Sequence, residues 1–554
     1  MNKKIRLVRS SWPAVLLLLA MAAIAKTTAH LPALFFTADR CISCHNGIVT
    51  PQGEDISFGT SWRPSMMANS ARDPYWQASV RRETLVHPTA RPAIENECAA
   101  CHMPMARFEA KTAGREVGVF ANLPAAGPAA AQSPAALKAM DGVSCSMCHQ
   151  IRKDNLGQRS SFVAGFTVDT SMPIGARQVF GPFAIDAGRQ SLMRSSARFI
   201  PSEGAHIRDS ELCATCHTLI TEALDAAGRP VGELPEQVPY LEWKHSAYEG
   251  VQSCQSCHMP AVETPVPITG VLGQPRSEVG RHVFLAGNFV MPKILNIGRK
   301  ELAVAALPQD LEAATRRTLD HLETSSARLT VETPEVKDGR LEAWVRVENF
   351  AGHKLPTAYP SRRAWIRFVV RDRGGDVVFE SGRMNPDGSI AGNDNDRDAG
   401  AYEPHYVRIE HPDEVQIYEG ILAGPDDKVT TVLLSATRYL KDNRLLPTGF
   451  DKAGAGADIA VRGGASDDAD FAGGGDRVLY AVDLGGARGP FTVEVELWYQ
   501  PVGYRWAHNL EGQDTAEAKR FLPYYAAVSK QSAAVLAKAT ATVATDSSEK
   551  GQVN

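Results

Sequence analysis

The 554-residue chain has no cysteine outside five closely spaced pairs. None of the ten is left over for a lone nucleophile or an unpaired bridge. Positive charge is not in surplus either: 59 Lys and Arg face 63 Asp and Glu, for a net charge of −4. A broad basic surface for nucleic acid is thereby excluded. Past the first 25 residues there is no apolar run long enough to span a bilayer, so no transmembrane segment is expected once the leader is removed. A strict internal repeat is missing too, because the cysteine pairs recur at unequal intervals.

Every pair is followed by histidine. The five units are Cys41-Ile-Ser-Cys44-His45, Cys98-Ala-Ala-Cys101-His102, Cys145-Ser-Met-Cys148-His149, Cys213-Ala-Thr-Cys216-His217 and Cys254-Gln-Ser-Cys257-His258. Cys-x-x-Cys-His is the attachment pattern of c-type haem. The two thiols form thioethers with the haem vinyl groups, and the adjacent imidazole supplies the proximal iron ligand. One helical turn brings both sulfurs and the ring to the same porphyrin face. Zinc ribbons use pairs of Cys-x-x-Cys units, and an odd number of pairs fits them poorly. The motifs therefore predict five covalently attached haem c groups.

The N-terminus reads as an export leader. Lys3, Lys4, Arg6 and Arg9 precede a short apolar stretch, 14–25, that ends in Ala23-Ile24-Ala25, a small-residue cleavage pattern. Residues 1–25 are expected to be a signal peptide. The mature protein is placed in the periplasm, or beyond it at the cell surface or outside the cell. Haem chemistry agrees, since c-type haem is attached outside the bacterial cytoplasm.

Composition divides the rest. Residues 39–298 hold all five motifs in a loop-rich, mainly helical region whose core would be the porphyrins. Residues 107–139, rich in Ala, Gly and Pro, read as a surface insertion. Residues 299–325 carry helical spacing through Leu311, Ala314, Leu319 and Leu322 and predict a connecting helix. Over 326–505 the period changes to two: LEAWVRVEN, RAWIRFVVRD and FTVEVELWYQ are β-branched and aromatic and predict an antiparallel β-sandwich-like domain. Residues 506–543 are expected to be a C-terminal helical segment and 544–554 a disordered tail. The expected fold class is thus α+β and multidomain.

The sixth iron ligand separates an electron carrier from an open, reactive haem. Ten histidines remain after the proximal five. His87, His206, His245, His282 and His353 are the best distal set. His87 and His206 precede the second and fourth motifs. His245 precedes the fifth, His282 follows it, and His353 lies in a turn between predicted strands. His405 and His411 are reserves, and His321 reads as structural. Met66, Met67 and Met193 offer thioether ligation, which would raise a haem's potential; Met103 and Met259 read as packing residues. Asp394, Asp396 and Asp398 alternate in an acidic loop and could bind Ca²⁺, although Ala399 and His405 break the EF-hand pattern.

At Gly142-Val143-Ser144-Cys145, Leu212-Cys213-Ala214-Thr215-Cys216-His217-Thr218 and Glu242-Trp243-Lys244-His245, the chain resembles multihaem cytochromes of the cytochrome c554 / c-552/4 group. The resemblance spans roughly 39–300. It implies an exported electron carrier with mostly bis-histidine haems, a redox-protein donor and acceptor, and a possible oligomer. The segment Gly352-His353-Lys354-Leu355-Pro356-Thr357 and the β region lie outside that core. Pentahaem nitrite reductases have the same haem number, but their catalytic haem is typically attached through a motif ending in Lys, whereas all five motifs here end in His. Catalytic residues are therefore not assigned from sequence. An oxidoreductase with one open haem, acting on a small nitrogen or sulfur species, is the alternative.

Overall fold

The computed structural model describes residues 33–124 and 133–544. The expected signal peptide and nearly all of the C-terminal tail lie outside these residues, as does His30.

The motif-bearing region is built of short helices and turns. Pro74–Val86 is one of its longer helices. Asp73 caps it, its carboxylate accepting from the Tyr75 and Trp76 N–H groups at 2.8 and 3.1 Å, and Pro74 fills the first helical position where no N–H is needed. The next long helix, Arg91–His102, ends in the second motif. The 107–139 segment is more than a surface insertion. Helices Pro104–Thr112 and Pro134–Met140 flank it, tied by Lys138 Nζ to Glu109 at 2.7 Å, and Val117, Val119, Leu123, Ala139 and Met140 are buried together. Its alanines and prolines suit tight helix packing as well as loops, an ambiguity that composition alone leaves open.

Helices Val290–Ile297 and Pro308–Ser325 connect this region to the β domain. The sandwich strands are β1 (Ala327–Val331), β2 (Glu335–Lys337), β3 (Arg340–Asn349), β4 (Arg363–Arg371), β5 (Val377–Ser381), β6 (Arg408–Ile409), β7 (Ile417–Ala423), β8 (Val429–Thr430), β9 (Arg438–Asp442), β10 (Gly475–Asp483), β11 (Phe491–Gln500) and β12 (Ala534–Val543). One sheet runs β8-β7-β4-β11-β12, with β5 on β4 and β9 on β7; the other runs β6-β10-β3-β1, with β2 on β3. Among the described strands of the sandwich all pairs are antiparallel except β6 with β10. The α+β multidomain expectation holds.

The C-terminus departs from expectation. Ala516–Val528 is helical, but Ala534–Val543 is a strand paired along the length of β11. Its alanines favour helix locally. The alternation through Ala537, Ala539 and Ala541 instead matches a pleated partner that needs its edge covered.

The two regions share one core. Tyr75, Leu234, Phe289, Met291 and Ile294 join the same buried cluster as Val345, Phe368, Tyr480 and Leu497. Arg81 on Pro74–Val86 makes two 3.0 Å bonds to Glu517 on Ala516–Val528. The β domain is therefore packed onto the motif region along a broad front.

Candidate haem-binding cavity

All five motifs open onto one continuous cavity of about 2070 Å³. Single small-molecule sites usually occupy about 300–1,000 Å³. The expected proximal ligands His45, His102, His149, His217 and His258 all line it, as do all ten cysteines. Thiols of different motifs lie beside one another: Cys41 with Cys145, Cys101 with Cys216, and Cys213 with Cys254. Cys148 also approaches Cys216. The motifs are thus arranged first–third–fourth, with the second and fifth both against the fourth.

Hydrogen bonds set the tautomers of the rings. His45 Nδ1 donates to the Ile268 carbonyl at 2.7 Å, His102 Nδ1 to Ser70 at 2.9 Å and His149 Nδ1 to Phe180 at 2.6 Å; His258 Nδ1 donates to the Leu285 carbonyl. A carbonyl only accepts, so Nδ1 carries the proton and Nε2 keeps a free lone pair. That is the usual outer-shell device for orienting a ligating imidazole. Trp76 stacks on His102, ring centres 4.2 Å apart and planes 5° apart. Burial, which disfavours the imidazolium, pushes His102 down to about 4; it does the same for His217, aided by the nearby His258, Arg362 and His102. Neutral rings are what a metal requires.

Two further imidazoles enter the cavity in the same tautomer. His282 Nδ1 donates to Gly280 O at 3.1 Å and His353 Nδ1 to Lys354 O at 2.9 Å. His282 faces His149 with ring centres 6.3 Å apart and planes 14° apart; His353 faces His258 at 6.2 Å and 11°. Metal–imidazole bonds are about 2.0–2.1 Å. Two such bonds in line put ring centres roughly 6 Å apart, the separation that each pair shows.

The other three expected distal ligands are placed elsewhere. His206 Nε2 donates to Ile151 O at 2.9 Å and His245 Nε2 to Asp451 O at 2.9 Å, so in each ring Nε2 carries the proton and is tied to a backbone carbonyl. His87 Nδ1 donates to Asp225 O, and its Nε2 accepts from the Ser435 hydroxyl at 3.1 Å. None of the three lines the cavity. Closeness to a motif in sequence misled here, because each precedes its motif on a turn that points its ring at backbone or, for His87, at the β domain. His321, read as structural, does line the cavity, as do Met66, Met67 and Met193. Its place on Pro308–Ser325 gave no sign of this, because its cavity neighbours come from distant sequence.

The acidic loop does not assemble a calcium site. Asp396 is taken by Arg363 at 2.8 and 3.0 Å and by the Ile390 N–H, Asp394 pairs with Arg397, and Asp398 accepts from the Gly400 N–H. His405 is buried beside Asp468 and Asp476. Its Nδ1 accepts from the Asn443 and Gln416 amides at 3.1 and 3.0 Å, so Nε2 carries a proton, which it donates to Asp468 at 2.9 Å. The ring is a satisfied structural histidine.

The architecture is that of a motif-bearing region of short helices joined to a β-sandwich. No family model and no curated protein matches the chain. Among solved structures it is similar to a penta-heme cytochrome c552 from Thermochromatium tepidum, with a TM-score of 0.51 and 15% sequence identity, over 92% of this chain and 100% of that one. At that identity the likeness is one of fold. No helix among the described residues is long and apolar enough to cross a membrane.

Proposed function

We propose that this chain is an exported pentahaem c-type cytochrome that relays electrons between a redox-protein donor and acceptor. The observation that carries the reading is the single cavity onto which all five motifs open, with thiols of different motifs beside one another. Groups attached at such thiols lie close enough for electrons to pass between them. The cysteines would hold the haems, and His45, His102, His149, His217 and His258 would be proximal ligands. His282 would complete the haem at Cys145 and Cys148, and His353 the haem at Cys254 and Cys257. Haem supplies one-electron chemistry. The chain's own part is to fix each imidazole through its Nδ1–H bond and to keep water from the buried rings. Intact mass and pyridine haemochrome analysis of the purified protein should give five haems per chain. Fewer than five would defeat the reading.

One feature favours a second reading, a multihaem oxidoreductase. Among the described residues, facing imidazole pairs form at two of the five motifs. The buried Tyr75 hydroxyl has no aligned hydrogen-bond partner and lines the same cavity, as does the Arg362 guanidinium near His217. Electron paramagnetic resonance of the oxidised protein separates the readings. Five low-spin haems support the relay. A high-spin haem that responds to nitrite, hydroxylamine or sulfite supports the oxidoreductase.

A further inference from the structure

His353 belongs to the β domain and His258 to the motif region, so their alignment depends on how the two are joined. The join is specific. Glu242, on the short helix Pro239–Lys244 ahead of the fifth motif, has no exposed surface. Its Oε2 accepts from the Lys354 N–H at 3.1 Å and from the Thr357 hydroxyl. Arg444 Nη1 lies 3.0 Å from its Oε1 as an ion pair. Arg444 also binds Asp442 through two 2.8 Å bonds, and Asp442 takes Lys354 Nζ at 2.7 Å. Two cations and two anions close a buried ring, and Lys354, the residue after the imidazole, is its contact with His353.

The backbone also comes close here. A Cβ on Gly352 would meet Trp243 and Tyr248 at 3.4 and 3.5 Å. The Tyr248 hydroxyl donates to Phe350 O at 3.0 Å. The 350–357 loop is thus held at both ends against the segment that leads into Cys254.

A buried ion network adds little net stability over apolar packing of the same shape, but removing one member strands the others. Its effect here is geometric. We propose that Glu242 is a positioning residue for the haem attached at Cys254 and Cys257: by holding the Lys354 N–H and Thr357 hydroxyl, it keeps His353 facing His258, so that the sixth ligand of this haem is present only while the β domain is docked. The proposal rests on His353 being that ligand.

The test uses the five-haem protein and its Glu242→Gln, His353→Ala and Lys354→Met variants, read by electron paramagnetic resonance against total haem. His353→Ala should turn one haem of the five high-spin. In Glu242→Gln, either orientation of the amide sets its NH₂ against a donor. At least half of the same haem should then become high-spin, and added imidazole should return it to low spin. Lys354→Met keeps the backbone N–H that Glu242 holds. It should lower the melting temperature while keeping every haem as low-spin as in the parent. If Glu242→Gln does not accumulate with five haems, Thr357→Val, which removes one donor to Oε2, is read in its place. A Glu242→Gln spectrum like the parent's, beside a changed His353→Ala spectrum, overturns the positioning role alone. An unchanged His353→Ala spectrum overturns the ligand reading beneath it. Equal high-spin gain in Lys354→Met and Glu242→Gln would show general loosening and would also overturn the proposal.

Discussion

At the scale of single residues, entering the cavity with Nε2 free of a protein partner sets His282 and His353 apart from His87, His206 and His245. His282→Ala should convert one haem to high spin, whereas His206→Ala and His245→Ala should leave the low-spin count unchanged; visible and electron paramagnetic resonance spectra of the three variants check this. Asp396 is committed to Arg363, so dialysis against a calcium chelator should leave the melting temperature where it was. Glu236 lines the cavity, and burial pushes its carboxyl up to about 7, against partial relief from the Thr221 hydroxyl and the Gln237 amide. A carboxyl raised in the folded state contributes stability below its unfolded value of about 4.5 and loses it as pH rises through about 7. That shift corresponds to roughly 3 kcal/mol. Glu236→Gln should therefore flatten the fall in melting temperature between about pH 4.5 and pH 7. An equally steep fall in the variant would place the titration elsewhere.

At the scale of elements, Asp73 holds the start of Pro74–Val86, the helix that lays Trp76 on His102. Asp73→Ala should cost about 1 kcal/mol, and Asp73→Asn, which keeps an accepting oxygen, much less; denaturant melts of both variants measure the difference. A chain ending at Ala533 would expose the edge of β11, and size-exclusion chromatography should show it self-associating. The sequence was most readable where a local rule suffices. The motifs needed only spacing, and β3 and β11 needed only alternation; β4, buried on both faces, was marked by its run of β-branched and aromatic residues. Strand β12 was lost because its alanines favour helix, and only a partner more than thirty residues upstream makes it a strand. Of the five expected distal histidines, two line the cavity and three do not. His282 and His353 were chosen, yet nothing local distinguishes them from His87, whose ring is captured by Ser435 from the far end of the chain.

At the scale of the whole molecule, the β domain is more than a cap. Its core runs into that of the motif region, and its 350–357 loop brings His353 to the cavity wall. Neighbouring thiols put the fourth motif at a junction, beside the second and fifth and near the third. Under the proposed relay, such an arrangement would offer more than one way in or out for an electron. His353 has one more consequence, in the order of manufacture. A polypeptide is made from its N-terminus, and its leading domains fold first. The fifth motif is therefore made before the loop that faces it. A chain cut between the two would keep Cys254 and Cys257 but lack His353, and under the proposed ligation its last haem would lie uncovered on one side.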